Sequence, residues 1–94
     1  MIVRISNEGQ YRLDEASHAR LNELDDAVVR AVEAADAEVY GATFAELLRF
    51  VRDQGEALGD DELETSDFIL PPADLSFEEA QTEFTGDGLI PEPA

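Results

Sequence analysis

With 94 residues, the chain is long enough for one modest domain with one core. Its 23 acidic residues face six basic ones, all arginine, for a formal net charge of −17, a sign that opposes direct binding to nucleic acid or to an anionic membrane surface. Cysteine is absent, which removes disulfides, thiolate nucleophiles and zinc–thiolate sites.

Met1 to Leu13 reads as a β-hairpin. Ile2-Val3-Arg4-Ile5 is β-rich, Asn7 and Gly9 supply the turn, and Gln10-Tyr11-Arg12-Leu13 returns. Alternation places Val3, Ile5, Tyr11 and Leu13 on one face and Arg4 and Arg12 on the other. Two strands alone are marginal in water, so the apolar face must pack on helices. Asp14 is an expected N-cap for a helix over Glu15 to Ala35, whose stripe is Leu21, Leu24, Val28, Ala31, Val32 and Ala35. Asp26 and Arg30 are spaced for a supporting ion pair.

Asp36 is placed to cap a second helix, Ala37 to Gln54, with Tyr40, Phe44, Leu47, Leu48 and Val51 as its stripe. Arg49 stands between Glu46 and Asp53 at supportive spacing. Gly41 weakens the first turns of this helix, and Gly55 is a natural C-cap. The short turn makes the two helices antiparallel neighbours. Glu56 to Thr65 reads as acidic and irregular. Phe68-Ile69-Leu70 then offers a short strand ended by Pro71-Pro72. Ser76-Phe77-Glu78-Glu79 is a capping-box pattern opening a short helix to about Phe84. The glycines and prolines after Gly86 predict a mobile tail.

The expected architecture is therefore α+β. A small antiparallel sheet, the N-terminal β-hairpin with a third strand near 67–70, packs on a two-helix antiparallel hairpin, and a short C-terminal helix follows. Residues 1–85 form the single domain and 86–94 the flexible tail.

The charge has its own reading. At molar salt the Debye length shrinks to about 3 Å, so a lysine-free acidic surface suits a salt-rich cytoplasm. The carboxylates spread over every segment, which favours salt adaptation in a halophile, in particular an archaeon, over a nucleic-acid mimic. The N-terminus has no signal-peptide pattern, and no apolar run reaches the roughly 18 residues of a membrane span. These features place the chain in the cytoplasm.

Nothing in the sequence builds a catalytic site. His18 is the single histidine, lies off the apolar stripe, and has no identifiable partner to activate it. No Gly-rich phosphate loop occurs. Asp60, Asp61, Glu62 and Glu64 would attract a divalent cation, but their spacing is not that of a calcium loop, and a solvated acidic loop is the plainer reading. The expectation is no enzyme activity, no cofactor and no metal. More telling are apolar residues outside the core stripes: Val29 on the first helix, and Val39 and Phe50 flanking the stripe of the second. With Phe68, Ile69, Leu70, Pro71 and Pro72 they are the candidate protein-interaction residues, either core packing or a docking face.

The chain also resembles the PspA-associated PspAA proteins, a small domain linked to the phage-shock-protein A system of membrane stress. The resemblance rests on residues in order: Met1-Ile2-Val3-Arg4-Ile5, Glu8-Gly9-Gln10-Tyr11, and Leu21-Asn22-Glu23-Leu24-Asp25-Asp26. Then come Asp61-Glu62-Leu63, Ser66-Asp67-Phe68-Ile69-Leu70-Pro71-Pro72-Ala73-Asp74, and Gly86-Asp87-Gly88-Leu89-Ile90-Pro91. None is a catalytic motif. What the resemblance implies is a non-enzymatic accessory that binds a PspA-like coiled-coil protein and reaches the inner membrane face only through it. The alternative is an acidic regulator that masks a basic surface of a nucleic-acid-binding protein. A homodimer through Val29 or Phe50 would use the same residues.

Overall fold

The structure is a computed structural model that describes residues 1–59 and 64–84. The expected tail at 86–94 and the acidic residues Asp60, Asp61 and Glu62 lie outside the described residues. The element order is β1 (Ile2–Ile5), β2 (Gly9–Arg12), a 3-10 turn (Glu15–Ser17), α1 (His18–Glu33), α2 (Ala37–Gln54), β3 (Glu56–Ala57), β4 (Phe68–Leu70) and α3 (Phe77–Glu83). It is an α+β fold, as the patterning of the sequence required.

The N-terminal hairpin forms with Val3 opposite Tyr11 and Ile5 opposite Gly9. Asn7, at φ 67°, carries the turn's left-handed position, which asparagine tolerates better than most residues. The sheet is mixed, with order β3-β2-β1-β4, where an antiparallel one was expected. Glu56–Ala57, read as irregular, pairs antiparallel with β2, and the strand at 68–70 pairs parallel with β1. The cause of the parallel pairing lies in the return path. After β3 the chain comes back to the level of Ile2, where Asp67 N–H donates to the Ile2 carbonyl at 2.8 Å and its Oδ2 accepts from Ile2 N–H at 2.7 Å. Entering at that end, β4 can only run alongside β1 in the same direction.

Gln10 guides this return. It is 4 % exposed although alternation puts it on the sheet's outer face with Arg4 and Arg12. Its Oε1 accepts from Glu64 N–H at 3.1 Å, and its Nε2 donates to the Glu64 carbonyl and to Ser66 Oγ. One side chain thus satisfies three polar groups of the crossing segment, which would otherwise lie unpaired over the sheet.

The helical hairpin follows the sequence closely. Asp36 Oδ1 accepts from Val39 N–H at 3.1 Å, the expected cap of α2. Asp14 does not cap α1 with its side chain; a 3-10 turn intervenes and the helix begins at His18. Between the helices, Asp36 N–H donates to the Ala31 carbonyl and Ala35 N–H to the Val32 carbonyl, both at 3.0 Å. This is a Schellman termination, with Ala35 at φ 56° where glycine is usual. At the far end of α2, Gly55 has φ −91° and ψ 157°, so it serves close packing and not a left-handed cap. A Cβ there would stand 2.9 Å from that of Tyr11.

The core lies between the sheet and the hairpin. Val3, Ile5 and Leu13 meet the stripes of α1 and α2, and α3 closes one end with Ala80 and Phe84. The Phe84 ring stands edge-on to Phe44 at 5.7 Å. Ser76 and Glu79 form the full capping box at the start of α3. The anticipated ion pairs of Asp26 with Arg30 and of Arg49 with Glu46 or Asp53 are not made; Arg20 instead reaches Glu23 at 3.2 Å and, across the hairpin, Glu46 at 3.5 Å.

Candidate interaction site

The structure divides the candidate apolar residues in two. Val29 is 5 % exposed: α1 is flanked by both α2 and α3, which widens its buried face beyond a single stripe. Leu70 and Pro71 are buried as well. These three side chains belong to the interior. Val39 and Ile69 are exposed, at 46 % and 59 %, and Phe50, Phe68 and Pro72 are half-buried.

The exposed members do not form one patch. Val39 and Phe50 share a face of α2 but stand three turns apart, about 16 Å along the axis. Phe50 sits in the crevice between α1 and α2, beside Leu24, Arg20 and Asp53. Away from Phe50, Ile69, Pro72 and Leu75 border a depression with Ser6 and Glu83. Ile69 points to the outer face because it alternates with Phe68 and Leu70. Phe68 faces inward, and the His18 ring lies tilted against it at 5.4 Å. His18 is thus half-buried, not the solvated side chain its position off the stripe suggested.

A third feature was not singled out by the sequence. Along one flank of α2, Tyr40, Phe44 and Leu48 face Leu75 across a groove of about 270 Å³. Tyr40 hydroxyl donates to the Leu75 carbonyl at 2.8 Å and fixes the 72–75 loop against the helix. Burial, and secondarily Glu79, raises the hydroxyl's pKa, so it stays a proton donor at any neutral pH. Gly41 and Ala45 form the low wall, and Arg49 and Arg52 close the end. The available signal was the spacing of Gly41, Ala45 and Arg49, four residues apart; the loop that makes it a groove is distant in sequence.

Arg52 is committed. Its guanidinium forks onto Glu8, with Nε to Oε2 at 2.7 Å and Nη2 to Oε1 at 2.6 Å. Tyr11 hydroxyl donates to the same carboxylate at 2.7 Å. The Arg52 fork is the main reason the Glu8 carboxyl falls to a pKa of about 2. In turn Glu8 raises the pKa of both Arg52 and Tyr11. The cluster locks the β1–β2 turn to the end of α2. Arg49 makes no ion pair with any described residue.

Inside α1 are two further polar groups. Asp25 is wholly buried, and Asn22 Oδ1 is buried with no hydrogen-bond partner among the described residues. Among those residues no group of three or more His, Cys, Asp or Glu is placed to hold a metal ion, and no helix is long and apolar enough to cross a membrane.

No curated protein and no solved structure matches the chain. A family model does: the one described as PspA-Associated protein, PspAA, matches residues 1–92. The match covers the N-terminal hairpin, both long helices and the 68–72 segment, and the chain belongs to the PspAA family.

Proposed function

We propose that this chain is a non-enzymatic accessory domain that binds a PspA-like coiled-coil protein and adjusts its assembly during membrane stress. The observation that carries the reading is family membership over nearly the whole chain, in a family described by its association with PspA. The fold is compatible with it. Val39 and Ile69 remain largely outside the core and Phe50 partly so, and apolar side chains left on a domain this acidic are natural protein contacts. In this reading the domain stays in the cytoplasm and meets the membrane through its helical partner, since its own charge of −17 opposes an anionic lipid surface.

The test is a co-purification. The domain is mixed with a recombinant PspA-family protein in molar potassium chloride and followed by size-exclusion chromatography with light scattering. Co-elution at a defined ratio supports the accessory role. Elution as separate species across micromolar concentrations refutes it, and recovery of a dimer of the domain alone assigns the exposed apolar residues to self-association.

A further inference from the structure

We propose that the groove between α2 and the 72–75 loop docks an α-helix of the partner, one whose apolar stripe is flanked by carboxylates. This deepens the reading above and rests on it only for the partner's identity. Three properties of the groove lead there: a fixed apolar floor, a low wall, and a charge unlike the rest of the surface.

The floor is set before anything binds. Tyr40, Phe44 and Leu48 recur every fourth residue and are 5, 4 and 2 % exposed, so the floor is the outer edge of core side chains. Tyr40 and Phe44 stack at 5.6 Å with an interplanar angle of 13°, and the Tyr40–Leu75 hydrogen bond holds the facing loop. Little ordering remains to be done on association, which favours affinity. With about 270 Å³ open, the groove takes one or two aliphatic side chains, judged against apolar cavities of about 150 Å³ that hold a benzene ring.

The wall admits a backbone. Gly41, Ala45 and Arg49 make a row four residues apart, and such rows pack against the matching row of a second helix. A Cβ placed on Gly41 meets nothing within 4 Å. The first two members of the row are therefore low, and a partner helix can lie close over them while its larger side chains drop onto the floor.

The charge selects the helix. With 23 acidic residues among 94, carboxylates border three other depressions: Glu83 one, Glu46 and Asp53 another, Glu8 and Asp74 a third. Among the described residues no carboxylate lines this groove and two of the six arginines do, one of which, Arg49, also borders the crevice that Glu46 and Asp53 line. Arg52 is held by Glu8, but Arg49 is exposed and makes no ion pair with a described residue. Its planar fork is suited to a carboxylate one turn from the partner's apolar anchors. A helix flanked by lysines would meet a like charge here and find better sites elsewhere on the surface.

The experiment uses two three-heptad peptides with one Leu/Ala stripe, flanked by Glu in one and by Lys in the other, and a recombinant PspA-family protein. All are titrated into the isotope-labelled full chain in molar potassium chloride. The Glu-flanked peptide is expected to shift amides at 41–49 and 73–75, and Gly41→Glu and Arg49→Glu each to weaken it by about tenfold or more. Both positions are exposed, so circular dichroism should show unchanged folding. Shifts centred elsewhere, equal binding of the Lys-flanked peptide in the groove, or indifference to both variants would overturn the proposal. So would groove shifts produced by raising the domain's own concentration, which would assign the groove to a second copy. If the PspA-family protein binds and both variants leave it untouched, the groove assignment fails and the accessory role stands. If the peptide occupies the groove and the PspA-family protein does not bind, the groove stands and the accessory role fails.

Discussion

Gly55 joins α2 to β3 and shows how tightly the sheet and hairpin are coupled. A Cβ on this residue would lie 2.6 Å from the Val51 carbonyl oxygen, 2.9 Å from Tyr11 Cβ and 3.1 Å from Leu13 Cδ1. The first is the acceptor of the hydrogen bond that Gly55 N–H itself donates at 2.9 Å. The backbone conformation is open to any residue, so the cost of Gly55→Ala is steric alone. Forcing a methyl into packed surroundings costs about 1–3 kcal/mol. Restricting the unfolded chain returns about 0.4–1 kcal/mol. The net expectation is a loss of about 1–2 kcal/mol, read as a fall in melting temperature of about 5–15 °C for a domain of this size. Thermal unfolding followed by circular dichroism at fixed molar salt measures it. An unchanged or raised melting temperature would mean that the α2–β3 junction has slack, and the reasoning from close approach would be refuted.

Ala35→Gly should act in the opposite direction: at φ 56° alanine pays a left-handed penalty that glycine avoids. A gain of about 0.5–1 kcal/mol in urea unfolding is expected, and a loss would contradict the assigned turn. Phe84→Ala removes a fully buried ring packed edge-on to Phe44 and should cost about 3–5 kcal/mol. A change below about 1 kcal/mol in the same assay would make α3 peripheral, since that is far less than core truncations cost. Glu8→Gln tests the Arg52 cluster. The folded carboxyl titrates at about 2 against an ordinary 4.5, so its stabilisation is fully present above pH 4.5 and is lost as pH falls through 2. The paired side chains are 29 % and 39 % exposed, which discounts the effect to about 1 kcal/mol. The two melting temperatures should differ at pH 7 and converge toward pH 2; a gap independent of pH would rule out the ion pair as its source.

What could be read in advance was local chemistry. The Asp36 cap, the Ser76–Glu79 capping box and the two helical stripes depend on residues within a turn or two of one another, and each is present as expected except Ala35, which lies past the end of α1, exposed and left-handed. What escaped depends on long loops. Gln10 looks like any outward strand residue until Glu64 and Ser66 pass over it. Ala57 gives no strand signal, and its pairing with Tyr11 follows from the close approach at Gly55. The candidate site divided along the same line. Ile69 is outward because alternation within three residues puts it there, whereas Val29 is buried in a helix that packs against more than one element, which its own periodicity does not show. The Arg49 groove needs the 72–75 loop, which no periodicity in α2 can announce.

The groove assignment also fixes the sign of a salt effect, and sign is a stronger test than size. Arg49 attracts a carboxylate over a few ångströms, but the molecule as a whole carries −17 and repels an anionic helix at longer range. Raising the ionic strength from physiological to molar shortens the Debye length from about 8 to about 3 Å. Long-range repulsion is then largely screened while the direct arginine–carboxylate contact persists. Association of the Glu-flanked helix should therefore accelerate with added potassium chloride, by about tenfold over this range if the steering is of ordinary strength. A partner held by its basic charges against the acidic surface must do the reverse, binding fast in dilute salt and falling away as salt rises. Stopped-flow association rates at several salt concentrations, over a range where circular dichroism shows the domain intact, separate the two. A rate that falls steadily with salt would show that the surface carboxylates, and not the Arg49 groove, make the contact.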